Sequence, residues 1–420
     1  MINELFDFIE KCPTMYHSVE TVSEMLVQNG FSRIEKFDCL EDGGRYFYVR
    51  YSSLIAFVYR KNAEGFMISA AHGDSPSYRL RIGCEKGSGC CSLVDVEKYG
   101  GMINYTWFDR PLSVAGRVCY RKNGSVAVKT VNIDRDLLVI PSLCIHFQRN
   151  INEGFKPDVA KDMRPLFSAD KNGETILSII AKQLDIGEQD IISHDLFTYV
   201  RQRGSVFGAD NGLYMVPRLD DLGCVFTTLK GFLNAKDNKA TNVFVLFDNE
   251  EVGNATKQGA ASPLLYDVLS SIAGERYLDM LNNSMMVSAD NGHATHPNYR
   301  EASDSEYGTS LGKGFIVKYN ASQKYTTDGL SHAVFAEICA KASIKPQVFY
   351  NKANVIGGGT LGSISNTNVP VMTVDIGLPQ LAMHSAVETA AVSDVESLVS
   401  AMTAFFESTV TATTDGYEIG

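Results

Sequence analysis

Thr241-Asn242-Val243-Phe244-Val245-Leu246-Phe247 runs without a break into Asp248-Asn249-Glu250-Glu251, and this junction decides the fold. The last five residues of the first stretch, 243–247, are apolar at consecutive positions and rich in β-branched and aromatic side chains, the pattern of a short strand buried on both faces. The run stops at three carboxylates. The same form recurs along the chain. Ile68-Ser69-Ala70-Ala71 runs into His72 and Asp74, and Met285-Met286-Val287-Ser288-Ala289 into Asp290. Val371-Met372-Thr373-Val374 runs into Asp375, with His384 in the loop beyond, and Asp220 and Asp221 stand just before a helix expected to start near Leu222.

Between these runs the apolar spacing turns helical, at residues 222–232, 262–271, 331–342 and 393–408. Such alternation implies an α/β architecture, a mixed sheet flanked by helices on both faces. The first 30 residues also read as helical, with Val19, Val22, Leu26 and Val27 as the stripe, Ser18 as N-cap and Gly30 as the stop. Short β-rich runs follow at 45–51, 54–59 and 65–71. From about Tyr78 to Tyr214 the texture changes to short alternating strands punctuated by glycine. There, Asn123-Gly124 between runs 117–120 and 125–131 signals a type I′ hairpin. The expected organisation is a discontinuous α/β domain, residues 1–77 and 215–420, interrupted by a β-rich insertion at 78–214.

Composition narrows the function classes. Across 420 residues, 38 Lys and Arg face 49 Asp and Glu, a formal charge of −11 with no basic stripe, which argues against general nucleic-acid binding. The N-terminus Met1-Ile2-Asn3-Glu4-Leu5-Phe6-Asp7 shows no signal-peptide pattern, and no apolar run approaches the roughly 18 residues of a membrane span. Nine cysteines, an odd number with no CxxC and one vicinal pair at Cys90 and Cys91, read as reduced core thiols. The expectation is a soluble cytoplasmic protein.

In open α/β sheets ligands bind at the carboxyl ends of strands, so imidazoles and carboxylates leaving several strand ends can meet in one crevice. A lone Asp after a strand is ordinarily a turn former, and adjacent glutamates are ordinarily a solvated face; the reading depends on five strand ends agreeing. Two His and several carboxylates suit a divalent cation such as Zn²⁺, with Co²⁺ and Mn²⁺ also compatible. Carboxylates in this number would repel one another without cations. Two metals about 3.5–4 Å apart, bridged by one carboxylate, are one known solution. In the Glu250-Glu251 pair one residue could ligate while the other serves as general base.

At the motif level the chain resembles the aspartyl aminopeptidase family of di-zinc exopeptidases. The resemblance rests on Ala71-His72-Gly73-Asp74-Ser75-Pro76, Arg218-Leu219-Asp220-Asp221, Phe247-Asp248-Asn249-Glu250-Glu251-Val252-Gly253, the stretch Ser288-Ala289-Asp290-Asn291-Gly292-His293 and Ala382-Met383-His384-Ser385. It extends into the insertion at Thr106-Trp107-Phe108-Asp109-Arg110 and Ile140-Pro141-Ser142-Leu143-Cys144-Ile145-His146. The resemblance implies a metal-dependent aminopeptidase that hydrolyses the N-terminal residue of peptides. His72 and Asp290 would hold one metal, Glu251 and His384 the other, and Asp220 would bridge, with a cis peptide following it. Glu250 would be the general base toward the metal-bound water, and Asp74 would orient His72.

Substrate contacts are implied for His293, Lys318 and Tyr325, with His146 reaching in from a neighbouring subunit. The insertion would serve as a dimerisation and lid domain, and dimers would gather into a hollow dodecamer. Lys318 points to acidic (Asp or Glu) N-termini, although the family also holds members of neutral or basic preference. The same five-ligand core would equally serve a di-metal carboxypeptidase or deacylase. A non-enzymatic scaffold relative would be expected to have lost a ligand. Gly357-Gly358-Gly359-Thr360-Leu361-Gly362 matches GxGxxG by count, but no acidic residue follows where a dinucleotide site needs one: Gln380 and Ala382 stand there. It reads instead as a flexible wall beside the cleft, with Thr360 and Gly362 as candidate contacts to substrate backbone. His17, His194 and His332 carry no assigned role, and His296 at most a supporting one.

Overall fold

The computed structural model describes residues 1–236, 238–355 and 357–420. Its largest sheet has nine strands among the described residues, in the order Ser32–Arg33, Arg45–Arg50, Ser53–Val58, Thr241–Phe247, Phe66–His72, Met285–Ala289, Met372–Gly377, Ile316–Tyr319, Gln347–Tyr350. The four strands Thr241–Phe247, Phe66–His72, Met285–Ala289 and Met372–Gly377 pair in parallel, Phe247 opposite His72. Their carboxyl ends therefore share one edge of the sheet.

These strands read as unbroken apolar runs because both faces are covered. Phe244, Leu246, Met67 and Val287 pack on one side, against helices Ile2–Lys11, Met15–Gln28, Leu219–Asn234, Gly329–Lys341 and Val392–Glu407. Val243, Val245, Phe247 and Ile68 pack on the other, against Leu264–Ala273 and Tyr277–Asn282. Each fully buried side chain of this size contributes roughly 1.5–3 kcal/mol relative to exposure, so polar residues are pushed to the strand ends.

The N-terminal stretch departs from its sequence reading. It forms two helices broken at Cys12-Pro13-Thr14, because proline cannot continue the first helix, and the second is preceded by Thr14, not Ser18. Ser18 lies buried inside that helix and donates to the carbonyl of Gly73 at 2.9 Å, beside the His72 loop. Val27 is exposed.

A six-stranded antiparallel sheet comprises Ser125–Asn132, Leu112–Lys122, Ile191–Val200, Ser77–Ser88, Cys91–Tyr99 and Leu166–Ser168, in that order. Its core includes Tyr78, Trp107, Val114 and Leu196, closed by helix Ile176–Leu184. The hairpin turn at Asn123-Gly124 has positive φ at both residues (50° and 79°), as a type I′ turn requires. Strands Ser205–Phe207 and Leu213–Val216 pair elsewhere, in a five-stranded sheet with Glu388–Ala391, Pro379–Leu381 and Gly292–His293.

All nine cysteines are free, but only Cys12, Cys84, Cys224 and Cys339 are buried; Cys39, Cys90 and Cys144 are exposed, so the expectation of uniformly core thiols does not hold. Among the described residues, no helix is long and apolar enough to cross a membrane.

Candidate metal centre

His72 ends its strand, Asp290 follows Ala289 and Glu250 follows the strand ending at Phe247, so three adjacent parallel strands deliver side chains to one point. Asp220 and Asp221 interrupt the helix Leu219–Asn234 with non-helical dihedrals, and the peptide between them is cis. His384 comes from the loop after Pro379–Leu381. The chain enters these segments through left-handed backbone, at Arg218 (φ 57°), Asn249 (φ 62°) and His384 itself (φ 65°). Non-glycine residues adopt this conformation uncommonly, and the surrounding contacts hold it here.

The distances have a consistent character. His72 Nε2 lies 3.6 Å from Asp220 Oδ1, 3.9 Å from Glu250 Oε2 and 4.0 Å from Asp290 Oδ1. His384 Nε2 lies 3.5 Å from Asp220 Oδ2 and 3.4 Å from Glu251 Oε1. These are too long for hydrogen bonds. They approach the spacing of about 3.3–3.4 Å between neighbouring ligand atoms in a tetrahedral site with 2.0–2.1 Å bonds.

Asp220 presents one oxygen to each histidine. Its Oδ1 and the Oε1 of Glu251 are buried without any hydrogen-bond partner, as is Asp221 Oδ1. Orphaned buried carboxylate oxygens are costly unless a cation takes them. His72, Asp220, Asp221 and Asp290 bring one atom each within 4.8 Å of one another, and so do Asp220, Glu251 and His384. The donor set fits a divalent metal.

The outward ring nitrogens are also committed. His72 Nδ1 donates to the carbonyl of Asp74 at 3.1 Å and lies 3.3 Å from its carboxylate; His384 Nδ1 donates to the carbonyl of Gly101 at 2.7 Å. A carbonyl only accepts, so Nδ1 carries the proton and Nε2 is the nitrogen left to ligate. Burial opposes charge on both rings, yet carboxylates outweigh it. Asp220 and Asp74 push His72 well above its ordinary range, and Asp220 and Glu251 push His384 up to about 10. Burial, reinforced by Asp290 and Asp74 against the pull of His72, pushes Glu250 up to about 7. Burial likewise raises Glu251, Asp221 and Asp290.

Several residues organise this cluster, and two of them, Glu388 and Gly101, carry no sequence signal. Glu388, buried, accepts from the amides of Asp220 (2.9 Å) and His384 (2.7 Å) and so clamps two segments 164 positions apart. Asp74 accepts from the amides of Glu250 and Glu251, each at 3.2 Å. Gly101 orients His384 across 283 positions of chain. Asp248, just past a strand end, and Asp375, which lies inside the strand Met372–Gly377 and not after it as the sequence suggested, are not in the cluster. Asp248 bonds Ser52 and the Asn249 amide, and Asp375 bonds Thr326 and Thr360.

Lys318 is 1 % exposed and donates to the carbonyls of Asp290 at 2.6 Å and Asn291 at 3.3 Å, with Asp290 Oδ2 at 3.5 Å. Burial works against its charge, but Asp290 overrides this and holds the ammonium above the usual lysine range. Its Nζ sits 5.1 Å from the ring centroid of Tyr325. His293 stands in the short strand beside Gln380, its carbonyl bonded by Thr309. His146 is not brought to the cluster. It lies on an exposed loop beside Leu143, Ile145 and Phe147, which are 55 %, 49 % and 80 % exposed. The Thr360 hydroxyl donates to Asp375 and the Gly362 amide to Ser288.

Comparison with known proteins places this cluster in a family. Residues 8–406 match the family model described as aminopeptidase I zinc metalloprotease (M18). A probable M18 family aminopeptidase 2 of Clostridium novyi is 41 % identical over 413 residues, 93 % of this chain and 95 % of its own. The aspartyl aminopeptidase of Dictyostelium discoideum is 34 % identical over 462 residues, 96 % of each. The cryo-EM structure of the Ape4 and Nbr1 complex contains a chain that superposes with a TM-score of 0.92 at 32 % identity, over 96 % of this chain and 85 % of that one. The S. cerevisiae mApe1 dodecamer superposes at 0.84 with 26 % identity, over 96 % of each. The convergent His and carboxylate cluster thus sits in a chain that matches peptide-bond hydrolases of one kind over nearly all its length: the protein belongs to the M18 family of zinc metallo-aminopeptidases.

Proposed function

We propose that this aminopeptidase works with two divalent ions per chain, most simply zinc, and favours acidic N-terminal residues. The observation that carries the two-ion reading is Asp220, whose two oxygens face different histidines at 3.6 and 3.5 Å. His72 and Asp290 would hold one ion, Glu251 and His384 the other, and Asp220 both. When bound, the ions polarise the scissile carbonyl and make a water nucleophilic at neutral pH. Glu250 takes the proton from the attacking water as its oxygen bonds to the carbonyl carbon, and passes it to the departing amine as the C–N bond breaks. Asp74 holds His72 and the Glu250 main chain in place for this. Metal analysis, with cleavage of Asp-, Glu- and Leu-terminated chromogenic peptides before and after chelation, tests the reading. One ion per fully active chain, or activity that survives chelation, sinks it.

The acidic preference rests on charge. An Asp or Glu side chain would enter a pocket already rich in carboxylates, where the ions are engaged with the reacting groups. Lys318 supplies a buried ammonium beside Asp290, and one relative is named an aspartyl aminopeptidase. A desolvated pair is worth more than a surface pair. Lys318→Met is expected to lower kcat/KM for Asp- and Glu-terminated peptides by about ten-fold or more, roughly 1.4 kcal/mol per factor of ten, and to affect Leu-terminated peptides much less. An equal fall for both would assign Lys318 to holding the Asp290 and Asn291 carbonyls instead.

His293 and Tyr325 are assigned to the substrate pocket, and His146 to a neighbouring subunit's pocket. Residues 1–77 and 215–420 are taken as the catalytic domain and 78–214 as the dimerisation and lid domain, with dimers assembling into a dodecamer in the cytoplasm. The exposed apolar side chains around His146 and the dodecameric yeast relative support that assembly; light scattering of the purified chain checks it.

A further inference from the structure

Tyr99-Gly100-Gly101, the end of strand Cys91–Tyr99 and the two residues after it, forms a wall of the metal centre that belongs to the six-stranded sheet. Gly101 bonds His384. Gly100, at φ 77°, passes so close to Glu251 that a Cβ there would sit 3.1 Å from the Glu251 Cβ. Tyr99 does more than pass by. Its hydroxyl donates to Asp74 Oδ2 at 2.8 Å and accepts from Asn249 Nδ2 at 2.8 Å. The direction of the second bond is set, because Asn249 Oδ1 already accepts from Thr256 at 2.9 Å and Gln258 at 3.0 Å.

Both partners lead to Glu250. Asp74 holds the amides of Glu250 and Glu251, and Asn249 is the left-handed residue immediately before them. The ring itself is seated edge-on against Phe197, centroids 5.4 Å apart, so the phenol is delivered from a rigid sheet.

We propose that Tyr99 is a positioning residue of the hydrolytic site: by pinning Asp74 and Asn249 together, its hydroxyl sets where Glu250 stands, and the six-stranded sheet thereby takes part in proton transfer. This rests on the reading of Glu250 as the base. Tyr99→Phe keeps the ring on Phe197 and removes only the hydroxyl. Expected are unchanged metal content and melting temperature, a kcat lower by about ten-fold or more, and KM within about two-fold, the split that marks lost transition-state positioning. Amide exchange of segment 248–253 should quicken in the metal-loaded protein, a readout independent of turnover. A kcat within about two-fold of wild type with unchanged exchange overturns the proposal, as does a fall in activity that tracks lost metal. Glu250→Gln measured alongside separates the two readings. If it is inactive while Tyr99→Phe is unimpaired, only the positioning role fails; if it is active, the base assignment fails.

Discussion

Glu250→Gln is expected to keep its fold and its metal and to lose about 10²–10⁴-fold in kcat, the usual worth of a positioned general base. The two adjacent glutamates have different surroundings. Glu251 is 3 % exposed and lies 3.4 Å from His384, whereas Glu250 is 18 % exposed and lies 3.9 Å from His72. Burial and neighbouring carboxylates place Glu250 near 7, where a carboxylate can both take and return a proton. Glutamine has the same length and can occupy the same space, so Asp74 should still hold the residue's main chain. Its amide cannot accept the proton of the attacking water. The measurement is single-substrate kinetics together with metal content by mass spectrometry; near-normal turnover with full metal would take the base role away from Glu250.

Asp220→Ala is expected to weaken both ions together, by more than the roughly 100-fold that loss of an outer partner alone can cost. The reason is the geometry of one side chain: Oδ1 faces His72 and Oδ2 faces His384, with Oδ1 bonded to nothing else. Alanine keeps the main-chain amide that donates to Glu388, so the local backbone should survive and the loss should read as metal affinity. His384→Ala, by contrast, should empty mainly the site shared with Glu251. Equilibrium dialysis of both variants discriminates. Two tightly held ions in Asp220→Ala would place the bridge elsewhere, and Asp221 would be the next candidate, since it lies in the same cluster with an unpartnered oxygen.

The ligands are legible in the sequence because of where burial forces polarity to go. A parallel strand covered on both faces seldom carries a carboxylate in its middle, and Asp375, which stands inside Met372–Gly377, is kept there by Thr326 and Thr360; His72, Glu250 and Asp290 therefore mark strand ends. The helix break at Cys12-Pro13 is just as local a signal, yet the apolar stripe beginning at Val19 masks it. Asp248 follows the same rule as the ligands and yet serves as a hydrogen-bond acceptor. Nothing local separates an Asp that faces a metal from one that ties down a neighbouring loop.

Sequence by itself thus determined the α/β architecture, the hairpin at Asn123-Gly124 and the set of side chains from which a metal centre could be assembled, because hydrophobic periodicity and turn chemistry act over a few residues. Tertiary structure alone decided which of those side chains meet and what holds them. Glu388 clamps Asp220 to His384, Gly101 orients an imidazole 283 positions away, and Tyr99 reaches Asp74 and Asn249 from a different sheet. Lys318, ordinary as a strand lysine, became a buried cation only because the carbonyls of Asp290 and Asn291 lie over it. Each of these contacts is a polar group satisfied across a long loop of chain. Its partner is set by how the sheets are stacked, which no short window of sequence records.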